Sequence, residues 1–328
     1  MKNKDGFISM TLVYTFLIVF MFIMLAIINS YTQKNHFLET INEKIDEDLK
    51  NYMGIDVNIF NKLLNDNAVL SASGIDLSSQ TTKGLYYLDN VDENDDGNSN
   101  RIYFFRGKVT NNFIVVNNKC FRIMRTNENG SIRLIYYNDN TDCSGNAKSI
   151  SKSNYDYTNN KYIWYSEEDG LFSSEIKKVI DDWYKNTMYD NVNNIVSDSI
   201  YCNGEQPSNE NLFSCQIPLT LHASSGGSSE SSISLKYAAA LPSYTDLVLA
   251  GTIVQDSYLN FQKDYWLMTY KNAEDEETSL STDVYYYDNG INIDSILEKH
   301  EVFPVISLKS TVDIIGGNGS QTNPYKVE

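Results

Sequence analysis

Histidine and cysteine are scarce, three and four in 328 residues. That leaves little material for a zinc or iron–sulfur protein, and no CxxC pair is present to hold a metal. Basic side chains are also few, 26 Lys+Arg against 43 Asp+Glu, for a net charge of −17. An acidic surface repels phosphates, so nucleic acid is not an expected partner. No nucleophile motif of the GxSxG kind surrounds any histidine. His36 lies close to an apolar run, His222 in a Gly/Ser stretch, and His300 behind Glu298-Lys299. The chain is therefore read as a non-enzyme, with an exported enzyme as the remote alternative. The LPSYT of Leu241–Thr245 is internal and lacks the glycine of a sortase signal. What the chain does have is 41% hydrophobic and 12% aromatic residues, too many for general disorder.

The N-terminus carries the strongest pattern. Phe7 to Ile28 is 22 residues without a charge. As a helix it is about 33 Å long, enough to cross a bilayer and too long for a signal-peptide core. Lys2 and Lys4 precede it, whereas 24 basic and 42 acidic side chains follow Ser30. The positive-inside rule then predicts a single-pass protein of the cell membrane, its N-terminus cytoplasmic and its C-terminal domain extracellular. Beyond the span, Leu38, Ile41, Ile45, Leu49 and Tyr52 share one helical face. No Gly or Pro interrupts the chain from Phe7 to Met53, and Gly54 is a natural stop. One helix of about 69 Å is expected over Phe7–Tyr52.

Lys4-Asp5-Gly6-Phe7 is a short charged leader ending in Gly, followed by Phe and the apolar run. This resembles the type IV prepilin and pseudopilin leader. The resemblance implies cleavage between Gly6 and Phe7 by a prepilin peptidase, and other pilin-like subunits as partners. Most pilins carry Glu at the fifth mature position. Thr11 stands there instead, which argues against a major filament subunit and is a feature some minor pseudopilins share. The competing reading is a plain type II anchor bearing a surface receptor or adhesin, with no filament.

From Gly54 onward the composition turns to Tyr, Asn, Asp and Ser. A short helix is expected over 57–64, then a polar linker over 71–83. Short strands follow around 103–105, 113–116, 121–125 and 132–137, the last two joined by the Asn-Gly turn of NENGS (127–131). They read as an antiparallel meander. Ile176, Val179, Ile180, Trp183 and Tyr184 predict an amphipathic helix over 174–188. Ser243 and Asp246 form a candidate capping box before a helix over 244–250 that stops at Gly251. Strands are expected at 265–269, 283–287 and 302–308, with a closing hairpin after Gly316-Gly317-Asn318-Gly319.

The order ALPSYTDLVLAG, YWLMT, YYYDNG, VFPVISLKS resembles the C-terminal half of lectin-like domains, the fold of C-type lectins and the formylglycine-generating enzyme. Together with the 102–136 block it is also similar to surface proteins of low-GC Gram-positive bacteria. Phe303 stands where Arg is usual and Ser243 where Thr is usual. The expected organisation is α+β: leader 1–6, transmembrane helix 7–28, helical extension 29–53, a β-meander part 54–165, and a lectin-like part 166–328. The extracellular part is β-rich with few helices.

Cys120, Cys143, Cys202 and Cys215 all follow the span, an even count in an oxidising compartment. Four cysteines allow three pairings; sequence neighbours, 120–143 and 202–215, are favoured. Asp92, Asn94, Asp96 and Gly97 match the first half of a calcium loop, but Tyr103 stands at its twelfth position. A solvated acidic turn competes with calcium there, and no other cofactor is expected. Trp266, Tyr270, Tyr285 and Tyr287 are the candidate face for a glycan or other surface ligand, with core packing as the competing role. Tyr286 would point to the opposite side.

Overall fold

Asparagine and glycine place the hairpin turns, and the hairpins set the register of the main sheet. The computed structural model describes residues 58–93, 97–155, 174–193, 195–202, 212–213, 218–219, 235–270 and 283–327. The expected leader, membrane span and helical extension lie outside them. No helix among the described residues is long and apolar enough to cross a membrane. Among the described residues strand outweighs helix, 39% to 16%, giving a β-rich α+β architecture.

In chain order the first half holds α1 (Ile59–Asp66), β1 (Val69–Ser71), β2 (Gly84–Val91), β3 (Asn100–Arg106), β4 (Phe113–Val116), β5 (Lys119–Thr126), β6 (Ile132–Asn138) and β7 (Ser151–Asn154). Next come α2 (Glu175–Thr187), α3 (Tyr189–Val192), β8 (Tyr201–Cys202), β9 (Pro218–Leu219), β10 (Ala239–Ala240) and α4 (Tyr244–Ala250). The chain closes with β11 (Tyr265–Tyr270), β12 (Asp283–Tyr287), β13 (Ile291–Ser295), β14 (Lys299–Val302), β15 (Val305–Leu308), β16 (Ile314–Gly316) and β17 (Tyr325–Val327).

Asn117 and Asn118 join β4 to β5 with φ of 47° and 59°. Two successive positive φ values make a type I′ turn, whose twist matches the strands, and Asn tolerates that region better than other side chains. The NENGS segment turns as expected: Gly130 takes φ 80° and donates its N–H to the Asn127 carbonyl at 2.9 Å. The strands are nevertheless no simple meander. β4 is four residues long and covers only the Lys119–Arg122 half of β5. β3 takes the other half of that edge through Phe104 opposite Arg125, and β6 takes the far edge.

The run 302–308, expected as one strand, is two. β14 pairs with β7 and β11 in a five-stranded sheet, β15 with β6 and β10 in a ten-stranded one. The chain changes sheet at Phe303-Pro304, because proline has no N–H for a ladder and a fixed φ. β16 and β17 form the expected closing hairpin, and β17 lies parallel to β4. The ten-stranded sheet thus draws on both sides of residue 165, and Asn58–Glu328 cluster as one unit.

The helices appear where spacing and caps place them. α2 starts at Ser174, whose hydroxyl accepts the Lys177 N–H, and buries Ile176, Ile180 and Tyr184, one side chain per turn. α4 has both halves of its capping box: the Ser243 hydroxyl accepts from Asp246 N–H, and the Asp246 carboxylate from Ser243 N–H. Gly251 ends it at φ 78°. Arg106 seals the same end, donating to the carbonyls of Val248, Leu249, Leu77 and Gln80 and to Thr82. The start of α4 is tied to the sheet by charge. Asp246 accepts from Arg125 at 2.7 Å and Arg133 at 3.3 Å, and Arg125 also pairs with Glu93. All four side chains are at most 5% exposed, so each charge depends on the others for its solvation.

Candidate functional site

Arg122 stands in the middle of β5, a charged residue inside the buried run Cys120–Thr126. It is 6% exposed and lines a pocket of about 420 Å3. That volume is within the roughly 300–1,000 Å3 of small-molecule sites. Its guanidinium carbon lies 3.8 Å from the centre of the Phe113 ring and 5.3 Å from that of Tyr258. Nε donates to Asn112 Oδ1 at 2.7 Å; Nη2 donates to the same oxygen and to the Val109 carbonyl at 2.9 Å. Asn112 is itself fixed, since its Nδ2 donates to the Ile123 carbonyl at 2.7 Å. Every acceptor on Arg122 is neutral. Burial pushes the guanidinium down to about 10, an effect that carboxylates counter elsewhere in this protein.

Five chain segments besides that of Arg122 wall this pocket. The β3–β4 connection brings Lys108 to the rim, where it pairs with Asp256 at 2.7 Å. Phe113, Tyr137 and Phe261 form an edge-to-face row with centroids 5.3 and 5.8 Å apart. Beside them the Cys120–Cys143 disulfide, as favoured from sequence order, tethers to β5 the β6–β7 loop that supplies Asn146 and Ala147. Gln321 pins that loop by donating to the carbonyls of Cys143 and Gly145, both at 2.9 Å. Asn260 folds its own loop, its side-chain oxygen accepting the Gln262 N–H at 3.1 Å. Gln262 itself is left-handed at φ 55° and sits on the rim. Chemically, the pocket offers a buried cation, apolar ring faces and a rim of amides.

A second cluster surrounds His300. Its Nδ1 is 2.8 Å from Asp264 Oδ2 and its Nε2 3.0 Å from Asp294 Oδ2. Tyr286 stacks on the imidazole at 4.1 Å, and Trp266 meets its edge at 4.4 Å. Burial pushes the Asp264 carboxyl up, but the His300 hydrogen bond, a backbone hydrogen bond and the charges of Lys152 and His300 together outweigh it, and the net shift is downward. Both imidazole nitrogens are occupied, so this histidine has no free nitrogen for a substrate or a metal. Among the described residues no group of three His, Cys, Asp or Glu is placed to hold a metal.

Trp266, Tyr285 and Tyr287, among the aromatic candidates, are not part of the pocket lining. Trp266 and Tyr287 are buried in the core. The Trp266 indole N–H donates to the Ser153 carbonyl at 2.8 Å, and Tyr287 packs on Tyr265. Tyr285 is half-buried against Tyr244, and the Tyr270 side chain lies outside the described ones. The alternation along β12 is as expected, with Tyr286 on the His300 side. Asp92 closes its own turn, accepting the Gly97 N–H at 2.8 Å. Asn94, Asp96, Gly6, Phe7, His36, His222 and Cys215 lie outside the described residues, and Cys202 is disulfide-bonded.

The signal for Arg122 was in the sequence: an Arg between Phe121 and Ile123 in an apolar strand, with Phe113 on the partner strand. Its pairing with the 257–262 and 320–322 loops was not, because those lie over a hundred residues away in the chain. The chain matches no family model, no curated protein and no solved structure.

Proposed function

We propose that this chain is a membrane-anchored, pilin-like or pseudopilin-like surface protein whose extracellular head binds a small polar ligand of the saccharide type. The observation that carries the binding role is the Arg122 pocket. Aromatic faces with amides around them are the chemistry of sugar recognition: C–H faces stack on rings, and hydroxyls exchange hydrogen bonds with Asn and Gln. The disulfide that closes its wall belongs to an oxidising compartment, in line with a head outside the cell. The uncharged run Phe7–Ile28 would be the anchor, with Lys2 and Lys4 on the cytoplasmic side. Gly6-Phe7 would be the prepilin peptidase site. The C-terminal part is read as lectin-like on its LPSYTD helix and the strands after it, α4, β11 and β15 here.

Thr11, in the place of the usual pilin Glu, favours a second reading: a plain type II anchored receptor or adhesin with the same head and no filament. N-terminal sequencing of the membrane-extracted protein, co-expressed with a prepilin peptidase, separates them. A start at Phe7 supports the pilin-like reading, and an intact leader supports the plain anchor. Binding itself is tested by screening the full chain against a saccharide panel; retention of no member would remove the binding role.

A further inference from the structure

Of the buried arginines, Arg125 and Arg133 face carboxylates. Arg106 has neutral partners, but they take every edge of its guanidinium. Arg122 differs from all three. Nε and Nη2 are consumed by Asn112 and Val109, and Nη1 makes no hydrogen bond within the described protein. Unlike the orphaned Nε of Arg133, Nη1 is not sealed from solvent. It is the edge that Arg122 has left to offer the pocket it lines.

We infer that the pocket is built for a ring-shaped ligand bearing one carboxylate, with the carboxylate on Arg122 Nη1 and the ring against Phe113 and Phe261. The inference rests on the pocket being a ligand site, and adds the class of ligand. A buried cation without a counter-charge is costly to keep in a fold. An anionic ligand supplies that charge, and by covering the solvent-reached edge of Arg122 it displaces the water that would weaken the charge-assisted hydrogen bond. The charge count selects a monoanion. Arg122 is the uncompensated cation, since Lys108 is already paired with Asp256. A phosphate dianion would bring one charge too many into a protein of net charge −17. The ring follows from the walls: Phe113, Tyr137 and Phe261 give flat apolar faces, and the Gln262 amide and the Gln321 side-chain oxygen give partners for hydroxyls.

Titration calorimetry on the full chain, in detergent, would compare D-glucuronate, D-glucose, glucose 6-phosphate and acetate, for the natural protein and for Arg122→Gln. Glucuronate is expected to bind at least about tenfold more tightly than glucose, and Arg122→Gln to erase that difference. Equal binding of glucuronate and glucose would overturn the carboxylate assignment and leave a sugar site standing. Acetate binding as well as glucuronate, with glucose silent, would keep the carboxylate and remove the saccharide. A preference for glucose 6-phosphate would overturn the monoanion. Silence from all four would remove both the site and its class. If Arg122→Gln does not fold, salt decides on the natural protein: the preference for glucuronate must shrink as salt rises, and a salt-independent preference would refute it.

Discussion

Asp246 is the residue whose charge the fold can least spare. It caps α4 through the Ser243 N–H and carries the negative charge between Arg125 and Arg133. Asp246→Asn separates those two roles. The amide oxygen still accepts the Ser243 N–H, so the cap survives, but Glu93 is left alone against two buried guanidiniums. Removing one partner of a buried ion pair costs about 3–5 kcal/mol. Ser243→Ala, which removes the hydroxyl half of the cap and keeps the Asp246 charge, costs about 1 kcal/mol. In a unit of this size the first corresponds to a drop in Tm on the order of 10 °C. Urea unfolding followed by far-UV circular dichroism would measure both. The pH dependence gives a second readout. Burial pushes the Asp246 carboxyl up, but Arg133 and Arg125 outweigh it and hold it below its ordinary value of 3.8. A depressed folded-state value means stability that is present above the unfolded carboxylate range and is lost as pH falls below 3.8. Asp246→Asn should therefore lower stability at neutral pH and make the acid limb shallower. A cost no larger than that of Ser243→Ala, with an unchanged acid limb, would refute the reasoning.

Replacing Cys120 and Cys143 together by Ser should cost about 3 kcal/mol, from the loop-closure entropy returned to the unfolded chain, as read by thermal unfolding. It should also loosen the pocket wall pinned by Gln321, seen as faster amide exchange around 143–147. Gly317→Ala should be more damaging than Gly74→Ala, although both glycines are left-handed. A Cβ at Gly317 would meet the Pro324 carbonyl oxygen at 2.0 Å, whereas one at Gly74 has open space, so only the backbone penalty of about 1 kcal/mol applies there. Equal unfolding midpoints for the two variants would contradict this.

Local order was legible because its causes are local. The α4 capping box, the α2 face, the Asn-Gly turn and the closing hairpin each follow from side chains within a few residues of one another. The 120–143 pairing was legible because the two cysteines are neighbours in sequence order. The splitting of β4 and β3 along one edge of β5 was not, because strand neighbours are chosen by length and by long-range packing. Nor was the break at Phe303-Pro304 drawn from the sequence, though proline carried the signal.

The candidate site divides in the same way. The sequence by itself determined the chain's acidity, its uncharged N-terminal run, and the aromatic and amide residues available for binding. Tertiary structure decided which of them meet. Trp266 and Tyr287 went inward because the second sheet needs both faces of β11 and β12 packed. Arg122, marked in the sequence only by its apolar neighbours, became the floor of a pocket because connections from β3, the disulfide-tethered loop and two distant loops converge over it. Hydrophobic pattern and turn chemistry act over a few residues and are written in order along the chain. The placement of an unpaired charge is a property of the assembled packing, and only the fold can state it.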